Sequence, residues 1–147
     1  MATEDAALAT DVEAVKHEWL ARLDALVADV QTWAAASGWR TRTIQKTVEE
    51  RELGRYKVPV LLMEKNAVEV VLNPVARFVP GADGAVDLYL SPAYDDIAGL
   101  YHESGRWLIH DFEPADAETT GGLIDAPPQP CNETTIRAIL DGMAANA

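Results

Sequence analysis

From residue 11 to 37 apolar side chains recur every three or four positions: Val12, Val15, Trp19, Leu20, Leu23, Leu26, Val27, Val30, Trp33 and Ala34. At 100° per residue they fill one arc of a helix, and Glu13, Glu18, Asp24 and Asp29 fall outside it. Thr10 and Glu13 stand at the spacing of a capping box, which predicts the helix start. Gly38 suits a left-handed C′ position and Trp39 its apolar follower, which predicts the end. Trp19 and Leu26 are expected in the core, facing a sheet.

The period then changes from helical to strand-like. Residues 39–57 are rich in Thr, Ile and Val but have no cleanly apolar face, as expected of an edge strand. Leu53-Gly54 punctuates, and YKVPVLLM, AVEVVLN, VARFV, AVDLYL, IAGLYH and RWLIHDF follow as candidate strands up to Phe112. Pro59 cannot donate to a ladder, so a strand should begin there or lie at an edge there. Turns are predicted at Lys65-Asn66, at Pro80 to Gly84 with Asp83-Gly84 making the reversal, and at Ser104-Gly105. With the first of these turns, Leu61, Met63, Val68, Val70 and Leu72 share one face. Val58, Val60, Leu62 and Val71 share the other with Glu69. Two largely apolar faces are unusual for an antiparallel sheet with one wet side. An acidic, Pro- and Gly-rich linker is expected over 113–131. A short helix over 132–145 follows, capped by Asn132 and apolar at Ile136, Ile139, Leu140 and Met143.

The pattern predicts one α+β domain spanning 1–147. It comprises a helix over 11–37, an antiparallel meander of six or seven strands over 39–112, the linker, and a short carboxy-terminal helix. A chain of 147 residues can bury a sufficient core without a metal or disulfide staple. The net charge of −12 repels phosphate backbones and anionic lipid at long range, so duplex nucleic acid and membrane are not expected partners. A basic partner fits that charge, although the same acidity is ordinary for a soluble bacterial protein. Cys131 is alone, so no internal disulfide and no thiolate metal cluster can form. The acidic amino end lacks the features of a signal peptide, and no apolar run is long enough to span a bilayer; a cytoplasmic location is expected.

Against the overall charge, six of the twelve basic residues cluster between 40 and 57: Arg40, Arg42, Lys46, Arg51, Arg55 and Lys57. Edge protection and pairing with Glu49, Glu50 and Glu52 would explain them structurally. As a functional strip, Arg40, Arg42, Lys46, Arg55 and Tyr56 would recognise an anion or acidic partner. The hairpin holding Tyr101, His102, Glu103, His110 and Asp111 is the best enzyme-like cluster. A two-residue turn at Ser104-Gly105 would put His102 and His110 on opposite faces, which argues against a joint catalytic or metal site. Asp87, Asp95 and Asp96 lack calcium-loop spacing, and no phosphate-binding glycine loop or nucleophile elbow occurs. No metal and no cofactor is expected.

RWLIHDFE resembles the closing strand of cystatin-like, NTF2-type domains. Size, acidity and a helix-flanked sheet resemble secretion chaperones and toxin-immunity proteins, which implies binding rather than catalysis. No functional residue is carried over from either resemblance. The expectation is a non-catalytic protein-binding accessory module of chaperone, adaptor or immunity type. The alternatives are a small-ligand or anion-binding domain using residues 40–57, and an enzyme working at the 101–111 hairpin. Homodimerisation through Val58, Val60, Leu62 and Val71 is the expected way to cover the second apolar face.

Overall fold

A computed structural model describes residues 2–92, 95–110 and 127–146. Helix α1 spans Ala2–Ala36, seven strands follow, and helix α2 spans Glu133–Asn146. The strands are β1 (Arg40–Glu50), β2 (Gly54–Lys65), β3 (Val68–Ala76), β4 (Ala85–Ser91), β5 (Asp95–Glu103), β6 (Arg106–His110) and β7 (Gln129–Pro130). They form one antiparallel sheet in the order β1 to β7, each strand beside its neighbour in sequence. This is the α+β meander that the periodicity predicts.

The helix begins earlier than Thr10 because nothing in the Ala-rich segment before it stops helical propagation. Thr10 is therefore inside the helix rather than its cap, and Glu13 instead meets Lys16 at 3.5 Å. The far end follows expectation. Gly38 adopts φ +88°, and the Trp39 amide donates to the Ala34 carbonyl at 3.0 Å. At α2, Asn132 caps through its side chain to the Thr135 amide, and the Thr135 hydroxyl accepts from the Asn132 amide.

Trp19, Leu23, Leu26 and Val30 of α1 pack with Ile136, Leu140 and Met143 of α2 into one buried cluster. The sheet face beneath contributes Leu61, Met63, Val70, Leu72, Leu88 and Leu100. This face carries the core, and the opposite one is here called the outer face.

The β2–β3 turn is Asn66-Ala67, one residue later than expected, with φ of +51° and +66°. The shift moves the register by two residues, so the division between faces survives. The β5–β6 turn at Ser104-Gly105 is as predicted and sets His102 opposite Trp107. Of VARFV only Val75 and Ala76 continue as a strand, running on from Asn73-Pro74 without an interruption. β3 ends at Ala76 after a bulge near Pro74, and the chain reverses across a Val79–Ala82 bridge. Asp83-Gly84 is not the reversal; the Asp83 amide and the Gly84 carbonyl instead bond the backbone of His102. Most of the expected linker lies outside the described residues, but its end forms β7 against β6.

Candidate functional site

The geometry of the candidate strip follows from one break in the sheet. β2 and β3 stay paired only from Lys65↔Val68 to Leu61↔Leu72. The two-residue turn makes Lys65↔Val68 a hydrogen-bonded pair, so odd-numbered residues of β2 bond toward β3. Pro59 is odd and lies just past the break, where no partner is needed and its missing N–H costs nothing. By the same alternation Pro74 of β3 also faces the break. β2 therefore runs through Pro59, from Gly54 to Lys65, rather than starting near it.

Two charged side chains of β1 fill this split. Lys46 Nζ donates to the Pro74 carbonyl at 2.9 Å and to Asn73 Oδ1. The Glu50 carboxylate accepts from the Arg77 amide at 3.0 Å and from the Phe78 amide at 3.0 Å. It also accepts from the Tyr56 hydroxyl, whose oxygen receives Trp19 Nε1–H at 3.1 Å. The donors and acceptors released where β3 leaves β2 are thus satisfied from the next strand over. Burial lowers the Lys46 ammonium from the usual lysine range, and the Asp87 charge opposes that shift. Burial, then the adjacent Glu50, pushes the Tyr56 phenol well above its usual range.

The structure consequently divides the predicted strip. Tyr56 is a core residue, not a surface one, because the hairpin end beyond Pro59 turns its even-numbered side chains toward Trp19. Arg40 is exposed and bonds Glu64, while Arg55 lies 3.4 Å from Glu49. Arg42 lines a cleft of 180 Å³ with Arg40, Thr41, Leu62, Met63, Glu64 and Glu69. Its two arginines face two glutamates, and its volume is below that of ordinary small-molecule pockets. The strip is not a single basic surface.

The expected interface is redistributed too. Val58 is 1% exposed and belongs to the core cluster with Tyr56, because the faces exchange roles at Pro59. Val60 and Val71 do lie on the outer face, but the single chain leaves them only 4% and 5% exposed. Leu62 is half-buried beside Val71 in the register. The three valines therefore offer almost no surface to a second molecule.

His102 and His110 lie on opposite faces. His102 is buried against Trp107, with ring centroids 5.2 Å apart. Burial, followed by the Arg22 charge, lowers its pKa. His110 meets the edge of Tyr101 at 5.1 Å, and its Nε2 is 3.5 Å from Glu103. Asp111 lies outside the described residues. Among the described residues no group of three or more His, Cys, Asp or Glu side chains is placed to hold a metal ion. Cys131 carries a thiol that burial pushes up to about 12, away from nucleophilic chemistry. No described helix is long and apolar enough to cross a membrane.

What remains open to a partner is the outer edge of β1. Because even residues of β2 bond β1, the even residues opposite them, from Arg40 to Glu50, bond back. The backbone N–H and C=O groups of Thr41, Thr43, Gln45, Thr47 and Glu49 therefore point outward. Among the described residues no strand pairs with that edge. The sequence signals an edge strand here, but the inward use of Lys46 and Glu50 is invisible without the β2–β3 split.

These features define an α+β meander with one long open strand edge. No protein-family model, no curated protein and no solved structure matches the chain.

Proposed function

We propose that this chain is a non-catalytic protein-binding module that engages its partner by strand addition along β1. One observation carries the reading: an eleven-residue edge strand presents outward backbone groups over its whole length. Natural proteins usually blunt such edges with charge, proline or a short strand. Here Lys46 is drawn inward, Arg40 is engaged by Glu64, and the central outward positions are the exposed Thr43, Gln45 and Thr47. Strand addition draws affinity from main-chain hydrogen bonds and specificity from alternate side chains. The engagement of Lys46 and Arg40 weighs against the anion-binding alternative.

The test is a pair of capture experiments from the native cell with the full chain and its Gln45→Pro variant. Proline at an outward position removes one edge donor without breaking a bond to β2. Loss of the captured protein from the variant, with an unchanged circular dichroism spectrum, supports the reading. Equal capture by both overturns it.

A further inference from the structure

We propose that the segment from Arg77 to Gly84 is an acid-released latch: protonation of His102 frees its Asp83-Gly84 end, while Glu50 keeps hold of the other. The segment joins β3 to β4 and reverses across the Val79–Ala82 bridge, with Phe78 and Pro80 exposed. The device does not depend on the β1 edge.

The two ends are held by different chemistry. At the first, the Glu50 carboxylate accepts from the Arg77 and Phe78 amides and from the Tyr56 hydroxyl, and no imidazole takes part. At the second, the Asp83 amide donates to the His102 carbonyl at 2.8 Å, and the His102 amide donates to the Gly84 carbonyl at 3.0 Å. Arg22 ties the same end to α1, donating to the Asp83 carbonyl at 2.9 Å and to the Glu18 carboxylate at 3.0 Å. These ties run through His102 itself or through a guanidinium whose charge acts on its ring.

The site suits a neutral ring. Nδ1 of His102 is buried with no hydrogen-bond partner, and the ring meets Trp107 edge-on at 74°. An imidazolium carries an N–H on both nitrogens, so protonation sets a donor at Nδ1 with no acceptor. The charged groups facing the ring are Glu18 and Arg22 from α1 and Arg77 and Asp83 from the segment; β6 faces it with the uncharged Trp107. The Arg22 side chain is 15% exposed, whereas that of its partner Glu18 is 72% exposed. Repelled by a cationic His102, Arg22 can therefore swing outward without leaving Glu18, and the swing breaks its bond to the Asp83 carbonyl. Water then reaches Nδ1, and the Asp83-Gly84 end keeps only its two backbone bonds.

Native-state hydrogen exchange of the full chain, followed amide by amide at about pH 7.5 and 5.5, is the test. In the open end His102 takes up its proton near the ordinary value of about 6.5, so acid favours opening. Protection of the Asp83 and His102 amides should then fall by up to about tenfold across that interval. Their exchange should respond little to urea below the unfolding transition, the mark of a local opening. The Arg77 and Phe78 amides should not share that opening, and in His102→Gln the fall should vanish. Arg22→Gln keeps the test independent of whether His102→Gln folds: the midpoint of the His102 Cε1 chemical shift should move upward with the guanidinium gone. Protection that ignores pH, a fall that survives in His102→Gln, or an unmoved midpoint in Arg22→Gln overturns the proposal. So does exchange of the Asp83 and His102 amides only by global unfolding, or one protection factor and one pH response at both ends.

Discussion

Trp19 occupies the space in which a side chain at Gly84 would have to sit: a Cβ built there lies 2.3 Å from Cζ3 of the indole. Gly84 also has φ +151°, a conformation that residues with a side chain rarely adopt. Gly84→Ala should therefore cost about 2–4 kcal/mol in denaturant unfolding. Combining it with Trp19→Leu should cost less than the two single changes added, because the clash disappears with the ring. Strict additivity would mean that the two residues are not in contact.

Glu50 should behave as a structural acid. Removing its carboxylate in Glu50→Ala leaves two backbone amides and a phenol without their acceptor, at about 2–4 kcal/mol. Tyr56→Phe should cost about 1–2 kcal/mol. The Tyr56 pKa is raised by folding, so its contribution is complete below the unfolded value of about 10 and declines as pH rises beyond it. Tyr56→Phe should flatten that alkaline decline, measured as ΔG of unfolding between neutral and high pH.

The residues of the basic strip should separate by role. Lys46→Ala removes donors from Asn73 and Pro74 and should cost about 1–3 kcal/mol. Arg42→Ala and Arg55→Ala should stay within about 0.5 kcal/mol of wild type. Reversing Arg40, Arg42 and Lys46 together is therefore expected to destabilise the fold through Lys46 alone. Thermal melts of the three single variants check this directly.

His102 should make the protein sensitive to mild acid. Its pKa is lowered on folding, so between that value and the unfolded value of about 6.5 the unfolded chain binds more protons. Stability is then complete above the unfolded pKa and falls as pH drops below it. The groups acting on the ring include Arg22 and Arg77, which disfavour protonation, and Asp83 and Glu18, which favour it. Comparing wild type with His102→Gln between pH 7.5 and 5.5 should show a shallower loss in the variant; parallel curves would remove His102 as the cause.

The sequence made the layers legible because both are written as periods. The 3.6-residue stripe through Trp19, Leu23, Leu26 and Val30 identified the core face of α1. The alternation at Leu61 and Met63 identified the core face of the sheet. Asn132 and Gly38 were legible as caps because their roles depend on local backbone chemistry alone. The roles of Lys46, Glu50, Tyr56 and Val58 were not. Each depends on where β3 parts from β2, and strict alternation cannot report that hairpin sides exchange roles at Pro59. The candidate strip was thus located correctly as an edge but read too uniformly as basic surface.

In this sheet every strand is hydrogen-bonded to the strand next in sequence. Each pairing up to β6 therefore closes only a short stretch of chain, and little loop entropy opposes it. The docking of α2 on α1, by contrast, joins elements near the two ends of the chain. Low sequence separation favours rapid pairing. Pulse-labelled hydrogen exchange should accordingly find amides of β2 to β5 protected before those of α2, and the folding rate should respond to Leu88→Ala more than to Leu140→Ala.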